Sequence, residues 1–317
     1  MSKYSEITRK EFGTGDALRD KDNKTPEDIL RIDSVQYKEG KPDRFTVGDA
    51  AFPAQWNLLD VYRPKALTIE KKLPVIVNVH GGGWVYGDKE VYQFYGMSMA
   101  QHGFAFVNPN YRLSPESVFP AHIIDIDDVL QFVRDNADRY GFDTEHVFMV
   151  GDSAGGHLSA LYGVLLTNPE YRTEFEKKYD ISLKCPLEVK ALGLNCGIYD
   201  LKLDVDKKYE NDSNTRNLLY DLFAEEYGDE SFCFASPNLH LTAAFPPAYV
   251  MTGSRDFLNY QAPIMQKAIV DAGGQAELHV YGDEETLLYH VFHCDMSIPE
   301  GRQCNRDEAE FFRSLIK

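Results

Sequence analysis

Cysteine and positive charge are both scarce in this chain, and no long apolar run interrupts it. Its 317 residues include five cysteines (Cys185, Cys196, Cys233, Cys294, Cys304), an odd number with no CxxC spacing. That speaks against a disulfide framework or a zinc site and suits a reducing compartment. Lysine and arginine number 33 against 50 aspartates and glutamates, a formal charge of −17. Such a surface repels nucleic acid and anionic membranes, so neither is expected as a partner, and it disfavours a strongly anionic substrate. The blander meaning of the acidity is solubility. No stretch of about eighteen apolar residues is present to span a bilayer. The start, Met1-Ser2-Lys3-Tyr4-Ser5-Glu6, lacks the apolar segment of a secretory signal. A cytoplasmic location is the expectation. Repeats and low-complexity tracts are missing too.

What is present is apolar material for a large core, 43% of residues with 13% aromatic. The length is within reach of one large α/β domain spanning 1–317. Residues 1 to about 50 are charged and weakly periodic, although Thr25-Pro26-Glu27-Asp28 reads as a helix start with an N-cap and an N1 proline. Strands are expected at 58–62, 73–79, 104–107, 147–150, 191–194, 248–251 and 276–281. Helices fall between them at 90–102, 123–137, 157–166 and 263–272, with a last one at 307–315. That alternation predicts a mostly parallel central sheet flanked by helices. The stretch 200–241 breaks the rhythm. It is acidic and partly helical (215–226), and reads as an insertion over the sheet.

Two glycine-rich segments carry the chemistry. Gly151-Asp152-Ser153-Ala154-Gly155-Gly156 follows an apolar strand and opens a helix. G-x-S-x-G in that context is a nucleophile elbow: a sharp turn lifts the serine hydroxyl above the sheet, and only glycine fits two residues to either side. A phosphate-binding loop is the duller alternative, but Asp152 has the wrong charge for it. His80-Gly81-Gly82-Gly83-Trp84 follows an earlier strand and leaves backbone N–H groups bare. Gly82 and Gly83 from this loop and Ala154 from the elbow are the expected oxyanion donors. His80 lies on that loop, where it is expected to fix loop shape by hydrogen bonding rather than to act as a base.

With these motifs the chain resembles the hormone-sensitive-lipase-like (family IV) carboxylesterases of the α/β-hydrolase fold. Tyr111-Arg112-Leu113-Ser114-Pro115-Glu116, Phe119-Pro120-Ala121 and the following Asp125 are similar to a further family segment. The resemblance covers about 73–292. It implies a structural, bracing role for the segment at 111–125, and a helical cap formed by residues 1 to about 50 and by 200–241. No cofactor or metal is implied, and a homodimer is left open because exposed edge strands in this fold often pair.

The order of catalytic residues in this fold, Ser then Asp/Glu then His, puts the base late in the chain. His290 and His293 both follow the last strand, and His290-Val291-Phe292 fits the family's His-x-Phe. The preceding Asp283–Leu288 makes this loop longer than the pattern, so His293 stays as the rival. For the acid, Asp256 follows the strand at 248–251 and a turn, where the family carries its Asp. A helix N-cap is its bland alternative, and Asp200 is the rival acid. The remaining histidines show no paired metal-ligand spacing. The expectation is a serine carboxylesterase acting on small or short-chain esters through Ser153, His290 and Asp256. An amidase or arylformamidase on the same fold is the alternative, followed by a non-catalytic small-molecule receptor.

Overall fold

The computed structural model of the chain describes residues 3–48, 53–207, 214–224 and 228–316. Parts of the two expected cap segments, and residues 225 and 226 of the expected helix 215–226, lie outside the described residues. In chain order the elements are α1 (Lys3–Asp20), β1 (Ile29–Gln36), β2 (Leu58–Pro64), β3 (Leu73–Val79), α2 (Gln93–Gln101), β4 (Ala105–Pro109), α3 (Ala121–Asp135), α4 (Ala137–Tyr140), β5 (Phe142–Asp152), α5 (Ala154–Thr167) and α6 (Pro169–Tyr179). There follow β6 (Ala191–Asn195), α7 (Leu201–Lys207), α8 (Asn214–Phe223), α9 (Asp229–Ala235), β7 (Ala248–Gly253), α10 (Gln261–Asp271), β8 (Ala276–Tyr281) and α11 (Pro299–Ser314).

Among the described residues eight strands form one sheet in the order β1-β2-β4-β3-β5-β6-β7-β8. From β4 to β8 every pairing is parallel, while β2 is antiparallel to both β1 and β4. A parallel sheet buries both faces, and alternation along β3 shows it. Val75, Val77 and Val79 join the core with Ile123, Leu130, Leu158 and Leu161 of α3 and α5. Ile76 faces the other way, into a cluster with Tyr95 and Met99 of α2 and Phe312 of α11. The expected mostly parallel sheet with helices on both faces is the observed one.

The first fifty residues depart from expectation. Thr25-Pro26 does not start a helix; Ile29 N–H bonds the Pro26 carbonyl (3.2 Å) to close a turn, and the chain enters β1. The partner decides this, because Ile29–Ile32 pairs with Val61–Pro64 and a strand with a ladder outweighs a local cap. The weakly periodic residues ahead of it form α1. Its support is tertiary: Arg9 donates to both Glu116 oxygens (2.7 and 2.8 Å) and to the carbonyls of Val85 and Ser114. Ser5 hydrogen-bonds Asp221 of α8, against which α1 packs.

The topology brings four loops together outside the carboxyl ends of the parallel strands, where open α/β sheets bind ligands. They follow β3, β5, β7 and β8. No described helix is long and apolar enough to cross a membrane.

Candidate active site

Ser153 sits between β5 and α5 with φ 50° and ψ −119°, a backbone region a non-glycine residue rarely occupies. Packing holds it there. A Cβ at Gly155 would overlap the Val79 carbonyl oxygen, and one at Gly151 would overlap the Gly155 carbonyl. Ser153 N–H bonds the Asn195 carbonyl (3.0 Å) and its own carbonyl accepts from His157 (3.1 Å). Ser153 lines a cavity shared with Gly83, Trp84, Ala154 and His290. Ala154 supplies the first amide of α5, where the helix dipole favours negative charge.

The loop after β3 is shaped by groups the sequence reading passed over. Gly81 N–H is engaged by the Tyr92 hydroxyl (3.0 Å) and Asp152 Oδ1 (3.1 Å), and Tyr92 donates to Asp152 Oδ2 (2.8 Å). Burial pushes the Asp152 carboxyl up to about 6, against the pull of its Tyr92 and Gly81 donors and of His290. Gly82 (φ 114°) and Gly83 (φ 59°) then turn the chain. His80 is fully buried, stacks on Tyr111 with ring centroids 4.1 Å apart, and donates from Nδ1 to the Gly81 carbonyl (2.8 Å). Burial lowers its pKa to about 4, so it is a neutral brace of the loop, as expected. Trp84 Nε1–H bonds His157 Nδ1 (3.3 Å), whose Nε2–H bonds the Ala235 carbonyl (2.8 Å).

After β7 and β8 the structure brings Asp256 and His290 together. Asp256 Oδ1 accepts from His290 Nδ1 at 2.7 Å and from Leu258 N–H at 2.9 Å, and Oδ2 accepts from Thr252 Oγ1 at 2.9 Å. Burial raises the Asp256 carboxyl, but the His290 contact and the Leu258 and Thr252 donors outweigh it and hold the pKa below the ordinary value. No hydrogen bond joins Ser153 Oγ to His290 among the described residues, although both line one cavity. Such bonds are often long before substrate binds.

The rivals are occupied elsewhere. Asp200 accepts from Leu203 N–H at 2.8 Å, capping α7, and from Asn238 at 3.0 Å. His293 is buried edge-on to Tyr95 at 5.0 Å, and burial lowers its pKa to about 3. Asp256 does not cap α10, whose N-cap position is Tyr260. The bracing segment behaves as the resemblance implied: Arg112 grips Asp125 through Nε and Nη2 (3.0 and 2.7 Å). Burial raises the Asp125 carboxyl, yet Lys38 and Arg112 bring it to about 2.

Cys196 Sγ lies near Asp256 and His290, the three potential ligand atoms falling within 4.8 Å of one another. The imidazole and carboxylate already engage each other, and burial first, then Asp256, raises the thiol pKa well above its usual value. None of the five cysteines forms a disulfide. Besides Asp152 and Tyr92, the sequence reading missed Phe12, Ile198 and Leu218 as cavity walls. For Leu218 and Phe12 the only signal was their place in cap segments of unknown packing.

A mostly parallel sheet with a strained serine on the strand-to-helix turn, a glycine loop beside it and a late Asp–His pair defines an α/β-hydrolase. The chain belongs to the BD-FAE family, whose model matches residues 59–271, and the resemblance to hormone-sensitive-lipase-like carboxylesterases of the α/β-hydrolase superfamily holds. Esterase LipC of Mycobacterium tuberculosis is 33% identical over 208 residues, 64% of this chain and 49% of LipC. Carboxylesterase NlhH of the same organism is 38% identical over 106 residues, 33% of each chain. The chain thus spans about half of LipC. Esterase B from Lactobacillus rhamnosis shares the fold, with a TM-score of 0.80 at 23% identity, covering 98% of this chain and 93% of that one.

Proposed function

We propose that this protein is a serine carboxylesterase in which Ser153 is the nucleophile, His290 the general base and acid, and Asp256 the group that orients it. The observation that carries the reading is the 2.7 Å bond from His290 Nδ1 to a buried Asp256. It fixes the Nδ1–H tautomer and leaves Nε2 basic, beside a cavity that also holds Ser153. His290 takes the Ser153 proton as Oγ attacks the ester carbonyl. The oxyanion is received by the amides of Gly82, Gly83 and Ala154, with the Gly81 amide held out of the hole by Asp152 and Tyr92. His290 then protonates the departing alcohol. Water repeats the sequence on the acyl-enzyme and frees the acid.

The same reading gives α1 and the α7–α9 segment the part of a cap, supported by the α1–α8 contact and by Phe12 and Leu218 in the cavity wall. It includes a cytoplasmic location, supported by five unpaired thiols. A homodimer is proposed through the outer edge of β8, where Leu278 and Val280 are exposed.

The test is a p-nitrophenyl ester series of rising acyl length with Ser153→Ala as control. A peak at short acyl groups that vanishes in the variant is expected. Activity that survives in Ser153→Ala, or climbs steadily towards long chains, contradicts the reading.

A further inference from the structure

Two cavities of very different size meet at His290. The one that includes Ser153, Ala154 and Gly83 has about 50 Å³ and is walled by Phe12, Trp84, Ile198, Leu218 and Phe257. A water-sized group needs about 10–15 Å³ of such space, so roughly three to five heavy atoms fit. The other has about 500 Å³ and lies between α1 and residues 286–300, with Asp16, Arg19, Leu287, Tyr289, Phe292 and Glu300 in its walls. That is the size of a small-molecule site. It reaches His290 without touching Ser153 or the glycine loop.

Acyl transfer assigns a side to each. The carbonyl carbon bonds Ser153 Oγ with its oxygen at the amides, so the acyl group extends into the cavity those groups share. The leaving oxygen takes its proton from the imidazole, so whatever it carries extends past His290. We propose that the larger cavity is the alcohol subsite, and that the protein acts on short-acyl esters of bulky, uncharged alcohols. This rests on the serine esterase reading above.

Charge and loop structure support the assignment. Asp16, Asp295 and Glu300 line the larger cavity with one cation, Arg19, and Asp16 is paired with that cation, which leaves Asp295 and Glu300 as the uncompensated charges among the described residues of its wall. Arg19 is already bound to Asp16 (2.8 Å), to Asp20 and to the Val91 carbonyl (2.8 Å). An anionic alcohol would meet repulsion there, while Leu287, Phe292 and Ile298 offer apolar surface. The long loop ahead of His290 builds this wall. Asp283 Oδ1 accepts from the amides of Glu285 (2.8 Å) and Thr286 (2.7 Å), closing a turn that sets Leu287 and Leu288 along the cavity.

The test uses two isomeric esters with primary alcohols, 2-phenylethyl propanoate and ethyl 3-phenylpropanoate, which carry the same phenyl on opposite sides of the ester. The wild-type chain should favour the first in kcat/KM by about tenfold or more. Gly15→Phe fills the larger cavity from α1, where an added Cβ meets no described atom within 4 Å; the ratio should fall about tenfold. Leu218→Ala, which enlarges the smaller cavity, should raise turnover of the second ester. A wild-type ratio at or below one, or a Gly15→Phe ratio equal to wild type, overturns the subsite assignment and leaves the esterase reading standing. Cleavage of p-nitrophenyl acetate but of neither isomer has the same meaning. If p-nitrophenyl acetate is also untouched, the esterase reading falls and the subsite with it.

Discussion

Ser153 holds a conformation that costs on the order of 1–3 kcal/mol, and the close approaches of Gly151 and Gly155 keep it there. Ser153→Ala should therefore lose hydrolysis by on the order of 10⁴-fold or more in kcat without losing thermal stability. Asp256→Asn should cost on the order of 10³–10⁴-fold, because an amide cannot hold the same imidazole tautomer; steady-state kinetics beside a melting curve checks both. Glu308 makes a different kind of claim. It is fully buried, accepts from Tyr95 (2.6 Å) and Asn195 (2.9 Å), and burial pushes its carboxyl up to about 7 despite those donors. A raised carboxyl favours the folded state below its unfolded pKa and loses that contribution as pH rises through about 7. The melting temperature of Glu308→Gln relative to wild type should then climb between about pH 5 and pH 7 and level off above that; a flat difference would show that the carboxyl has the same pKa folded and unfolded. At this scale much of the site was legible. The glycines flanking Ser153 are demanded by sterics that a motif records. The choice between His290 and His293 was not, because three residues of spacing leave burial and the partner of each ring undetermined.

Elements with a strong period or a motif of their own were readable, and those that owe their form to a partner were not. β3, β5 and β7 were found because buried strands are apolar runs, although β5 begins earlier than expected, and β8 was found at 276–281 despite its exposed outer edge. β1 looked like a helix start until β2 is seen beside it. α1 has no marked apolar stripe and docks through polar groups, above all Arg9. Arg9→Ala should cost about 1–3 kcal/mol, speed hydrogen exchange along α1 and raise KM, since Phe12 on the same helix walls the cavity. An unchanged exchange rate would mean that Arg9 does not hold the helix. α6 had a readable start that the sequence reading overlooked: Asn168 caps it by accepting from Tyr171 N–H (3.0 Å), with Pro169 at the first position. At the elbow, Gly155→Ala should abolish activity or folding, because its Cβ would overlap the backbone of Val79; soluble, active protein would contradict the packing described.

At the scale of the whole molecule, the sheet order does the assembling. Residues far apart in sequence meet because β3, β5, β6 and β7 are neighbours and parallel, so their carboxyl ends share one edge. Alternating patterns implied the parallel sheet, but nothing local encodes strand order, and the cavities follow from how α1 and α8 settle over it. Val280 is 59% exposed on the outermost strand, which is the basis of the proposed dimer. Sedimentation velocity should show two chains for the wild type and one for Val280→Lys; a monomeric wild type removes the dimer and leaves the site untouched. The most direct test of the central claim is mass spectrometry after reaction with an organophosphate such as diethyl p-nitrophenyl phosphate. One diethylphosphoryl group on the peptide containing Ser153, with esterase activity lost in proportion, is the predicted result. An adduct on another residue with Ser153 unmodified, or full labelling of Ser153 with activity intact, would contradict it.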